Sequence, residues 1–267
     1  MSASVLDERG GPPVALALAW LALLACACWA WLAFQGAQAP DVALHGIGQA
    51  AAGPPPAPPA PPAPLRAGQL VLVFAMWTGL YVALMLPAAA GAVIGVGRIA
   101  KRRGALGWPR VAPWLFALGC LLAWTGFAAL VTLMHWTLHD AGMLDATLAV
   151  RHPAATGLVL VAAGAWQWTS SKHACLQYCR APFPSLLSGW GKGPLAALWQ
   201  GAEHARTCLG CYWLVALLPL AGGPGNPGMV AAVGLLLLAE LRLKDGALAS
   251  CLAGLAMVAW GTRLLFP

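Results

Sequence analysis

The chain has 267 residues, of which 60% are hydrophobic and only 9% charged, against about 25% charged in an ordinary soluble domain. Apolar runs of roughly 20 residues belong in lipid or in a core far larger than a chain of this length can build, so a soluble fold is excluded. The formal net charge of +7 does not mark a nucleic-acid binder, because the Lys and Arg residues lie between the apolar runs, where they set orientation across a bilayer.

The expected fold is all-α, a polytopic transmembrane helix bundle of about seven spans, bracketed by six and eight. The first span covers Val14–Phe34. Its apolar run ends near Ala37-Gln38-Ala39, a small-x-small pattern of the kind signal peptidase cuts. Retention is the favoured reading: the run is longer than a usual signal core, Pro40 would become the first mature residue, and Asp7, Glu8 and Arg9 do not make a clearly basic start. Next comes Gly53–Pro64, GPPPAPPAPPAP. Repeated Pro fixes φ and removes donors, so this stretch reads as a polyproline-II spacer. Residues 1–69 thus form one region, a helix and a Pro/Ala-rich linker, and residues 70–267 form a multi-span domain.

The second span, Leu70–Gly97, holds Pro87 two residues after Met85. A mid-membrane Pro tends to kink its helix, and Met85 beside such a kink offers a thioether to a soft cation, although Met is more often filler. The loop Arg98–Arg110 carries five positive residues. The third span, Ala112–Trp136, ends in His135 and His139, four apart and followed by Asp140, Asp145 and His152. Two His at that spacing can share a metal; solvated interfacial residues are the commoner explanation, so this is the weaker site.

The fourth span is Ala154–Ser170, and behind it lies a loop with Lys172, Arg180 and Lys192. That loop opens with Cys175-Leu-Gln-Tyr-Cys179, whose thiols share a helix face. The fifth span, Pro194–Gly222, contains Glu203, His204, Arg206, Cys208 and Cys211. His204, Cys208 and Cys211 are spaced four and three apart and fall on one stripe, with Glu203 at its edge, which is ligand spacing. Thiolates bind soft metals, neighbouring cations such as Lys172, Arg180 and Arg206 ease their ionisation, and Glu203 can ligate or support a ligand. Charged and imidazole groups inside an apolar span are costly unless they face the bundle interior and pair. Cys26, Cys28, Cys120 and Cys251 lie in plain apolar surroundings and read as small hydrophobes. The sixth and seventh spans are Met229–Leu241 and Ala247–Phe266, joined by a turn bearing Arg242 and Lys244.

All three basic loops fall on one side of this topology, which places the N-terminus in the cytoplasm and the C-terminus outside. The loop with Cys175 and Cys179 is then cytoplasmic, where thiols stay reduced. Cys pairs within one helix also suit a disulfide poorly. Metal is favoured over a static bridge, and a redox-active pair stays open.

Three motifs resemble a bacterial family of predicted metal-binding integral membrane proteins, the domain of unknown function 2182. They are Ala83-Leu-Met85-Leu-Pro87-Ala, then Lys172-His-Ala-Cys175-Leu-Gln-Tyr-Cys179-Arg180-Ala-Pro182, and Gly201-x-x-His204-x-x-x-Cys208-Leu-Gly-Cys211-x-Trp213. The likeness runs from about residue 70 to the C-terminus. Leu84 stands where the family tends to have a second Met, Ala205 where it has Gly and Tyr212 where it has another Cys. The resemblance implies metal binding in the bacterial inner membrane, without an established activity.

Together these readings point to a membrane protein that handles or transports a soft transition metal, Cu(I) ahead of Zn(II), through Cys175, Cys179, His204, Cys208, Cys211 and Glu203 at the cytoplasmic side. A metal-donor or metal-acceptor protein is then the expected partner besides lipid. The alternatives are a membrane oxidoreductase or metalloenzyme, for which there is no catalytic signature, and a non-catalytic subunit stapled by structural zinc.

Overall fold

The computed structural model describes residues 67–102, 111–145, 148–181 and 194–266, with five isolated positions between 19 and 30. The expected first span, the Pro-rich linker and parts of the first two basic loops lie outside the described residues. Every regular element among those described is a helix, as the apolar composition requires: in lipid a backbone must satisfy its own hydrogen bonds, and a helix does so within one segment.

In chain order the helices are α1 (Ala67–Arg102), α2 (Ala112–Asp140), α3 (Pro153–Trp166), α4 (Ser170–Arg180), α5 (Pro194–Ala216), α6 (Leu218–Gly222), α7 (Pro227–Arg242) and α8 (Gly246–Leu265). Four stretches are long and apolar enough to cross a membrane: Ala67–Lys101, Ala112–Asp140, Leu195–Gly222 and Gly246–Leu265. Leu118, Leu122, Leu130, Leu133, Leu252 and Leu255 are exposed on the outer faces of two of them, an arrangement that water would penalise and lipid would not.

The six expected spans that fall within the described residues therefore divide into long and short helices. The expected fourth span, Ala154–Ser170, stops early. α3 has 14 residues, a rise of roughly 21 Å against a hydrocarbon core of about 30 Å. Thr169 then turns extended and starts α4, its Oγ1 accepting from the Lys172 N–H at 3.2 Å. The expected sixth span becomes α7, with 16 residues, whose N-terminus is capped by Asn226 and which is also short for a full crossing. The expected fifth span corresponds to α5 and α6, interrupted just before Pro219.

Small residues set the closest helix approaches. α3 and α8 run antiparallel with Gly157 against Gly261 and Gly164 against Gly254; a Cβ built on any of the four would meet the opposing glycine's carbonyl at 2.6–2.9 Å. Gly119 of α2 and Gly201 of α5 meet the backbone of the other helix in the same way. Lipid supplies no hydrophobic drive between helices, so backbone-to-backbone packing of this kind carries the association. The core between α1, α2 and α5 is filled by Trp77, Leu80, Tyr81, Met85, Phe116, Trp124 and Tyr212. Tyr81 there donates to the Ala216 carbonyl at 3.0 Å.

Candidate metal centre

Two helices bring the thiols together. α4 is short and polar, and its Cys179 is buried while Cys175 is half-buried. α5 supplies Cys208 and Cys211, both buried, and His204, which is 1% exposed. The Cys179 sulfur lies 2.7 Å from that of Cys208 and 3.9 Å from that of Cys211. Cys208 is also 3.6 Å from His204 Nε2, and the Cys175 thiol feels the Cys211 thiol electrostatically. Four Cys and one His, separated by up to 36 positions in the chain, thus share one spot between α4 and α5.

The donor set can be tested against the sphere an ion would need. Sulfurs about 2.3 Å from a tetrahedral ion stand about 3.8 Å apart, and a sulfur–imidazole pair stands about 3.6 Å apart. The Cys179–Cys211 and Cys208–His204 separations match these values. The Cys179–Cys208 contact is shorter by about 1 Å, so those two sulfurs would have to part. In keeping with that, no three His, Cys, Asp or Glu groups among the described residues stand ready to hold an ion as they are. The chemistry of the donors fits a soft or borderline metal.

His204 carries a further sign. Its ring lies between Phe116 and Tyr178, with centroids 5.6 Å and 5.9 Å away. Nδ1 is buried without a hydrogen-bond partner, while Nε2 faces the Cys208 sulfur, so the packing fixes the ring and leaves one of its two nitrogens unsatisfied. On α4, burial first and the Cys211 thiol second push the Cys175 thiol above its usual range, and Lys172 offsets less than they add. Cys179 is pushed up most by its contact with Cys208. These thiols keep their protons until something displaces them, and an incoming metal would do so.

The cations expected to ionise the thiols are engaged elsewhere. Lys172 Nζ is fully buried, 2.8 Å from Glu240 of α7 and 3.9 Å from the centroid of the Tyr212 ring. Arg180 donates to the carbonyls of Glu240, Leu243 and Lys244. Arg206 is 73% exposed and pairs with Glu203, itself 43% exposed. Glu203 therefore sits outside the thiol cluster, about 100° round the helix from His204, and binds Arg206 at 2.9 Å through Nε.

The weaker residues are dispersed. Met85 is buried in the core. The cleft of about 290 Å³ beside Pro87 is lined by Ala83 and Leu84 of α1 and by Ala231, Gly234, Leu235 and Leu238 of α7, without Met85. His135 is buried edge-on to Trp77, 6.1 Å between centroids, with neither ring nitrogen partnered. His139 is half-exposed at the end of α2. Asp145 orders its own loop by accepting from the Ala149 N–H at 3.0 Å. Cys120, expected to act as a hydrophobe, is buried and donates to the Gly201 carbonyl at 3.2 Å.

Glu240 was passed over in the sequence, although the signal was there: a lone acid inside an apolar run is a functional hypothesis by default. Phe116 and Tyr178, which frame His204, carried no such signal.

Residues 74–264 match the model of a protein family described as PpoB2, copper chaperone. No curated protein and no solved structure matches the chain.

Proposed function

The chain belongs to the PpoB2 copper-chaperone family, and from that premise we propose that it is a membrane protein which takes Cu(I) onto a two-helix thiol centre and passes it to an acceptor protein. The observation that carries the reading is the convergence of Cys179 on both Cys208 and Cys211. Thiolate and imidazole donors of this kind select Cu(I) and Zn(II) over hard cations, and the family favours copper.

Within this reading each residue has a task. Cys175 is the most accessible of the four thiols, so it makes first contact with a donor and is the last to release the ion. Cys179, Cys208 and Cys211 hold it in the interior, and His204 completes the set. Cu(I) is stable with two or three soft ligands, and a cluster with more donors than the ion needs lets it move by exchanging one thiolate for another. Each thiol that binds gives up a proton. Glu203 is a surface partner of Arg206 and takes no part. The three motifs also support a place among the domain of unknown function 2182 proteins, and the basic loops support an inner-membrane orientation with this centre on the cytoplasmic side.

The test is metal analysis of the protein purified in mild detergent, after loading with Cu(I) and with Zn(II) separately. Copper that binds stoichiometrically and leaves to a thiol competitor supports the chaperone. Stoichiometric zinc that resists chelation would replace it with a structural staple, which the near-tetrahedral Cys179–Cys211 and Cys208–His204 separations also allow. Cys208→Ser and Cys175→Ser should each lower bound copper, whereas Cys251→Ser should not. An equal loss from all three would mean that the fold had failed rather than the site.

A further inference from the structure

α4 has 11 residues, shorter than the roughly 12–15 that an isolated helix needs to persist in water. Its orientation is therefore set by what it touches. Stepping about 100° per residue, Lys172, Cys175, Leu176, Cys179 and Arg180 fall on one face. The two Cys lie to one side of Lys172, and Leu176 and Arg180 lie to the other. The Cys side meets α5. The Lys172 and Arg180 side meets α7, and both basic residues reach the same residue there.

Glu240 receives them together. Its carboxylate accepts from Lys172 Nζ at 2.8 Å and from Ser250 Oγ of α8 at 2.9 Å. Its main-chain carbonyl accepts from Arg180 at 3.1 Å. Lys172 and Glu240 are both fully buried, and the Lys172 carbonyl lies 3.9 Å from the Cys211 sulfur. For stability alone an apolar pair of similar volume would serve as well or better. What an ion pair adds is direction: it is satisfied in one geometry and costly in others.

We propose that Glu240 is a positioning residue of the thiol centre, acting through Lys172 to fix the rotation of α4 so that Cys175 and Cys179 face Cys208 and Cys211. This deepens the copper reading and rests on it for its purpose, but the clasp itself can be tested without copper. A turn of α4 by one residue would swing both thiols off α5, and nothing in the apolar neighbours Leu176 and Tyr212 would oppose that as strongly as an unpaired buried charge.

The experiment uses the full-length protein in mild detergent and has two readouts. In metal-free protein, the rates at which a maleimide labels Cys179 and Cys120 are measured by peptide mapping. In loaded protein, Cu(I) affinity is measured by competition, with the near-ultraviolet thiolate-to-copper band recorded. Glu240→Gln should speed the labelling of Cys179 at least several-fold while leaving Cys120 as it was. It should also weaken Cu(I) binding by roughly 10- to 100-fold, the usual loss when a group that holds a ligand in place is removed, and alter the band. The exchanged pair Lys172→Glu with Glu240→Lys should recover much of both. If Glu240→Gln does not fold, Glu240→Asp gives the graded version, faster at Cys179 and unchanged at Cys120.

Labelling of Cys179 at the unaltered rate in a folded variant overturns the proposal. So does equal acceleration at Cys120, which would make the pair a general brace. If the unaltered protein takes up no copper, the functional reading fails, and the labelling contrast still decides the clasp.

Discussion

Along α3 and α8, Gly157 faces Gly261 and Gly164 faces Gly254, and backbones touch with almost nothing polar between them. Where α4 meets α5 and α7, the contact is made of thiols, an imidazole, a buried ion pair and the unpartnered Nδ1 of His204. The two seams lie in one small bundle and differ in what they are made of. The glycine seam has one packing solution, fixed by sterics, and asks nothing of pH, metal or redox state. The thiol seam is assembled from groups that cost free energy to bury and that chemistry can alter. A bundle held by the first can tolerate change in the second, which is what an exchanging metal centre needs.

The largest expected effect comes from breaking the thiol seam at its charge. Lys172→Met leaves Glu240 buried and unpaired, and removing one partner of such a pair typically costs about 3–5 kcal/mol. Thermal unfolding in detergent should show a correspondingly large fall in midpoint. Adding Glu240→Leu should restore most of the stability, because an apolar pair replaces an ionic one at little cost, while the copper affinity stays low. If the double variant recovered copper binding as well, direction would not be what the ion pair supplies.

Next in size is a change in the glycine seam. Gly164→Val would push a side chain into the Gly254 carbonyl and the Val258 and Met257 side chains, and overpacking of this kind costs about 1–3 kcal/mol or more. The contrast with the first variants is in the metal: copper bound per folded molecule should remain as it was. A loss of copper in the fraction that stays folded would show that the two seams are coupled.

These two seams were not equally legible. The all-α membrane fold followed from composition, since 9% charge leaves no other solvent. The thiol positions were legible too, because four-and-three spacing in His204, Cys208 and Cys211 puts donors on one stripe whatever the tertiary fold. What spacing cannot convey is which way a stripe faces. Glu203 and Arg206 looked like interior charges and instead pair on the surface, because a helix that is apolar on most sides still has one face where two long side chains can reach polar surroundings. The Lys172–Glu240 pair joins residues 68 positions apart, and no local pattern announces such a contact. Likewise, α3 stops at Trp166 and Thr169 caps α4 at the very end of the expected fourth span, a local signal at the edge of an apolar run.

A smaller effect is expected at His204. His204→Ala should weaken Cu(I) binding without changing the number of ions bound, since four thiols remain. The fold should persist, because Phe116 and Tyr178 can close on part of the space. Competition titration reads this directly, and an unaltered affinity would remove His204 from the ligand set, leaving its unpartnered Nδ1 unexplained.

The smallest expected effect is at Glu203, and it separates the sequence reading from the structural one most cleanly. The residue lies next to His204 in the chain and was expected to ligate or to support a ligand. Its side chain is 43% exposed and tied to Arg206, and an exposed pair of this kind contributes little to stability. Glu203→Gln should therefore leave unfolding midpoint, copper stoichiometry and copper affinity where they are. The same substitution at Glu240, 37 positions later in the chain and far from any motif, should weaken copper binding strongly. If the order were reversed, the thiol centre would have to open toward the outer face of α5 when it takes its ion, and the arrangement of α4 described here would be the resting one rather than the binding one.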